Sequence, residues 1–86
     1  MGLRGKIKLD KGELADAIAD FNAAIRMMPQ VPGHYADRGI ALLLQGKDSL
    51  AQSDFDKFLQ IFPQGSPALN KRIAEAKEKL LQNPPQ

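Results

Sequence analysis

The apolar positions of this chain fall on helical spacings, and glycine and proline interrupt them at regular intervals. Between Gly12 and Pro29 lie Leu14, Ala17, Ile18, Phe21, Ala24, Ile25 and Met28. Steps of three, four and seven place such residues on one face of a helix. Between Gly46 and Pro63 a second face follows, formed by Ala51, Phe55, Phe58, Leu59 and Phe62. Both helices are expected to stop before their prolines, because proline disfavours helical backbone in the preceding residue. Asp48 or Ser49 is the expected N-cap of the second.

A shorter apolar segment precedes this second long helix. Pro32-Gly33 opens it, Ala36, Gly39, Ile40, Leu43 and Leu44 are its apolar or small positions, and Gly46 breaks it. A linker this short predicts an antiparallel helical hairpin. The small residues Gly39 and Ala51 predict a close approach of its two helices. The last segment reads as a separate helix. Ser66 is its expected N-cap and Pro67 its first helical residue. Leu69, Ile73, Ala76 and Leu80 give it one narrow apolar stripe on an otherwise charged surface.

The punctuation repeats. Pro29 and Pro63 are 34 residues apart, as are Gly5 and Gly39, Gly12 and Gly46, Ala17 and Ala51, and Phe21 and Phe55. Arg4 and Arg38, Asp20 and Asp54, and Gln30 and Gln64 keep the same offset. A fixed period of this length marks stacked supersecondary units, none of which can bury its apolar face alone.

With these landmarks the chain resembles the tetratricopeptide repeat family. The second unit carries Tyr35, Gly39, Leu42, Gly46, Ala51, Phe55 and Pro63. The first carries Gly5, Gly12, Leu14, Ala17, Phe21, Ala24 and Pro29. The resemblance implies an all-α fold: an α-α superhelix of two antiparallel hairpins plus a capping helix. The expected layout is one domain over residues 1–82, with repeat 1 at about 1–31, repeat 2 at about 32–65 and the capping helix at 66–82. Residues 83–86 are expected to form a disordered tail.

Several positions depart from the family pattern. Arg4 and Arg38 replace a usual leucine, and Lys8 replaces a usual aromatic. Asp48 also replaces an aromatic, with Leu50 expected to cover its spot. Phe58 replaces an alanine, so its ring is expected to push the closing helix outward or to fill a gap beside it.

Members of this family are typically adaptors that hold a peptide or a partner surface in a concave groove. The resemblance therefore implies a non-catalytic interaction scaffold. By family position the groove is lined by Lys6, Leu9 and Asp10, then Ala36, Asp37, Ile40, Leu43 and Leu44, then Asn70, Lys71, Ala74 and Lys77. The peptide-contacting residues expected from this set are Lys6, Asp37, Ile40, Leu44, Asn70 and Lys71, with Leu43 assigned to the core. One subfamily grips the C-terminal carboxylates of chaperones. The matching places here hold Gly2, Lys6, Asp37, Pro67 and Lys71, which lack the asparagines and place a repelling Asp37, so that ligand is not expected. Two alternatives stand beside the adaptor: a self-assembling structural unit joined through exposed repeat ends, and an accessory repeat segment of a larger enzyme or secretion complex.

Composition narrows the picture further. The 86 residues contain 12 basic and 10 acidic groups, a formal net charge of +2. This near balance gives no reason to expect nucleic acid. The basic cluster Arg4, Lys6, Lys8 and Lys11 reads as a solvated helix face. There is no cysteine, which excludes disulfides, cysteine-ligated zinc and a thiolate nucleophile from this chain. His34 is the single histidine and is expected at the start of a helix, without the nucleophile and orienting group that general-base chemistry needs. The glycines occur singly, so no phosphate-binding loop forms. No catalysis and no cofactor are expected. No apolar run approaches the length of a membrane span and no secretion signal is evident, so a cytoplasmic setting is favoured. By its length alone the domain is expected to be stable by about 4–13 kcal/mol.

Overall fold

The computed structural model describes residues 2–82. The tail expected at residues 83–86 lies outside them. Among the described residues the chain is entirely helical and has no strand. Helix α1 spans Gly2–Asp10, α2 Leu14–Met27, α3 Pro32–Leu44 and α4 Asp48–Ile61. A single 3-10 turn, Pro63–Gly65, then leads into α5, Ser66–Gln82. Helix α3 is central: it packs against α2, α4 and α5 and touches α1.

The two hairpins, α1–α2 and α3–α4, are built alike down to single hydrogen bonds. At the end of α1 the amide of Gly12 donates to Leu9 O and that of Glu13 to Lys8 O. At the end of α3 the amide of Gly46 donates to Leu43 O and that of Lys47 to Leu42 O. This nested pair of bonds closes a helix when the residue after the cap turns left-handed. Gly12 and Gly46 have φ of 82° and 80°, a conformation that costs glycine little and other residues more. The ends of α2 and α4 match as well. Met28 and Phe62 leave the helix with φ near −138° and −139°, and each is followed by proline.

The hairpins close on glycine. Gly5 lies under the ring of Phe21 and Gly39 under that of Phe55. A Cβ at Gly39 would sit 2.5 Å from Phe55 Cε1. Phe21 and Phe55 are both buried, at 0% and 4% exposure, as the helical spacing predicts. Around them Leu9, Ala17, Tyr35, Ala36, Ile40, Ala41, Leu42, Leu43, Ala51, Phe58, Leu69 and Ala76 complete one continuous core. The stripe of α5 points inward as expected: Leu69 and Ala76 are buried, and Ile73 and Leu80 pack partly buried against the core.

Some local expectations fail. Helix α4 starts at Asp48 with Lys47 as its cap residue, and no side chain caps it. Asp48 is already inside the first turn, where its carboxylate complements the helix dipole. Ser66 does not act as an N-cap, because the 3-10 turn runs straight into α5 and makes Ser66 the first helical residue. Met28 and Phe62 are exposed, since each lies past its helix end, where the 3.6-residue period no longer sets direction. Leu50 is also exposed and edges a shallow cleft with Ile18 and Leu42. The Phe58 ring fills the space beside Gly65 and meets Phe62 edge-on, at 6.0 Å and 87°.

Candidate functional site

Two repeated arginines, Arg4 and Arg38, are tied to the two repeated aspartates. Arg4 donates from Nε and Nη2 to Asp20 at 3.0 and 2.7 Å. Arg38 does the same to Asp54 at 2.8 and 2.6 Å. Arg38 goes further: its Nη1 donates to Asn22 Oδ1 of α2 at 2.9 Å, and its guanidinium lies 5.8 Å from the Tyr35 ring centroid. It thereby joins α2, α3 and α4. Lys8 Nζ adds a second cation 3.4 Å from Asp20. Hydrogen bonding from Arg4 lowers the Asp20 pKa to about 2, aided by Lys8 and opposed by burial. Arg38 is raised, first by its hydrogen bonds to Asp54. These side chains hold the helices of the two hairpins together.

A cleft lies where α1, α3 and α5 meet. It encloses about 190 Å³ and is lined by Leu9 and Asp10 of α1, Ile40 and Leu44 of α3, and Arg72, Glu75, Ala76 and Lys79 of α5. Leu9, Ile40 and Ala76 lie buried beneath it, and the surface it exposes is mostly polar and charged. Asp10, Glu75 and Lys79 form no ion pair among the described residues, whereas Arg72 Nη1 is bound to Asp37 Oδ1 at 2.9 Å.

The six expected contact residues divide against this geometry. Ile40 and Leu44 line the cleft, with Ile40 buried and Leu44 half-buried. Leu9 and Asp10, also on the groove list, join them. Asp37 is buried and neutralised by Arg72. Lys6 and Lys71 are exposed and outside the lining. Asn70 is exposed as well, and its amide donates to Ser66 Oγ at 3.4 Å. The lining residues that the sequence reading missed are those of α5: Arg72, Glu75, Ala76 and Lys79. Two signals pointed to them. Arg72 lies 34 residues after Arg38, and Arg72 and Lys79 are four before and three after the stripe residue Ala76, so they share its side of the helix.

His34 sits in the first turn of α3 and is half-buried, its ring over Gly2 of α1. Among the described residues no group of three histidine, cysteine or acidic side chains is placed to hold a metal ion, and no helix is long and apolar enough to cross a membrane. No protein-family model matches the chain, and neither the curated proteins nor the solved structures contain a significant match to it.

Proposed function

We propose that this chain is a non-catalytic scaffold of the tetratricopeptide type, which binds a peptide or a partner's surface in the cleft between α1, α3 and α5. The observation that carries this reading is the half-buried Leu44, over the buried Leu9, Ile40 and Ala76, beside the charged Asp10, Glu75 and Lys79. An apolar anchor flanked by polar groups is the usual composition of a recognition site. The repeated hairpins support the family assignment. In this reading they and α5 follow a shallow superhelix, with α1, α3 and α5 on its concave side.

The rim also suggests the ligand's charge. Two of its three unpaired groups are carboxylates, so the reading favours an aliphatic side chain next to a basic residue. The test is a selection of peptides from a random library on the immobilised chain, followed by NMR titration with a selected peptide. Shifts are expected at Asp10, Leu44, Glu75 and Lys79, with binding weakened by Glu75→Lys. Shifts confined to α2 and α4 would refute the cleft as the site.

A further inference from the structure

Arginine–aspartate pairs join the helices at Asp20, Asp54 and Asp37, and the pair at Asp37 is built differently. Asp20 and Asp54 each receive two aligned donations from one guanidinium. The closest cation to Asp37 is Arg72, with Nη1 at 2.9 Å from Oδ1. Among the described residues no hydrogen bond of proper geometry reaches either Asp37 oxygen. Yet Asp37 is only 9% exposed, and a buried carboxylate is ordinarily held by hydrogen bonds. A guanidinium fork can fill both of its oxygens. Arg72 leaves that capacity unused.

Asp37 stands three residues before Ile40 and seven before Leu44, so the three share one side of α3. Ile40 and Leu44 line the cleft, and so does Arg72. The Arg72 side chain is 36% exposed and long, so a change of rotamer uncovers Asp37 without moving α5. Glu75 lies three residues further along α5, within reach of the displaced guanidinium, and lines the same cleft.

We infer that Asp37 is the cation subsite of the cleft, that it takes an arginine side chain next to an aliphatic one, and that Arg72 holds the subsite in the free chain. The entering guanidinium bonds both Asp37 oxygens, and Arg72 turns to Glu75. This deepens the function proposed above and rests on it: Asp37 reads the charge of the ligand, and Arg72 competes with the ligand.

The test is NMR titration of the full chain, to millimolar concentration, with acetyl-Leu-Arg-amide and with its neutral isostere acetyl-Leu-citrulline-amide. The arginine peptide is expected to shift the amides of Leu44 and Glu75 and the Nε resonance of Arg72. The citrulline peptide is expected to bind about tenfold more weakly. Both readouts use the unsubstituted chain. Arg72→Gln removes the competitor and is expected to tighten the arginine peptide about twofold to fivefold, the worth of a partly exposed pair. Asp37→Asn is expected to weaken it about tenfold and to erase the preference over citrulline. Shifts at Leu44 and Glu75 that are equal for both peptides and indifferent to both substitutions overturn the inference and leave the cleft as the binding site. Absence of shifts with either peptide, in the parent and in Arg72→Gln, also overturns it, whereas the cleft itself fails only if library-selected peptides avoid it too.

Discussion

Arg38 and Asp54 meet through two parallel donations, at 2.8 and 2.6 Å, across the seam between α3 and α4. The carboxylate is buried and the Arg38 side chain is 24% exposed. Removing one member of such a pair leaves a charge without its bonds, which costs more than the pair contributes net. Asp54→Ala is expected to lower stability by about 2–3 kcal/mol, read by urea denaturation. Asp20→Ala is expected to cost less, because Arg4 is largely exposed and can return to water. Equal losses would contradict this account of burial.

The Asp20 pair predicts a pH dependence with a definite sign. Its folded pKa, about 2, lies below its ordinary value of 3.8. The stabilisation is therefore complete above about pH 4 and fades as pH falls toward 2. Asp20→Asn removes it. Thermal melts of both proteins are expected to differ by a constant amount near neutrality and to converge between pH 4 and 2. A gap that persists at pH 2 would show that Asp20 acts by shape alone.

Two glycines of the same helix are expected to respond in opposite ways to alanine. At Gly39 the added methyl meets the Phe55 ring. Overpacking of about 1–3 kcal/mol outweighs the roughly 1 kcal/mol gained in helix propensity, so Gly39→Ala is destabilising. At Gly33 nothing lies within 4 Å of the new methyl, and Gly33→Ala is expected to stabilise by a few tenths to 1 kcal/mol. Chemical denaturation of the two variants checks the contrast.

Arg72 holds α5 to α3 through Asp37 at 2.9 Å. The guanidinium is 36% exposed, so the pair is worth about 1 kcal/mol or less. Arg72→Ala is expected to speed amide exchange in α5 while leaving the inner turns of α3 and α4 protected. Uniform acceleration along the chain would mean that α5 is not a separable lid.

Much of this architecture was legible because its signals are short-range. Helical spacing, turn glycines and terminal prolines placed the helices and sent Phe21 and Phe55 inward. The ion pairs were legible in principle. Arg4 and Asp20, like Arg38 and Asp54, are 16 residues apart and equidistant from a turn glycine, so an antiparallel hairpin brings them together. The rotation of α5 was harder. Its stripe showed which side is buried, but the side facing the cleft depends on how α5 leans on α3. Arg72 reaches back to Asp37 there, 35 residues earlier, and no local pattern carries a contact of that range.

The tie from Arg38 to both Asn22 and Asp54 bears on how the chain comes apart. One side chain spans both hairpins, so loosening either releases a charge inside the other. Half a molecule is therefore a poor intermediate, and the 34-residue units are expected to fold and unfold in a single concerted step instead of peeling away one after the other.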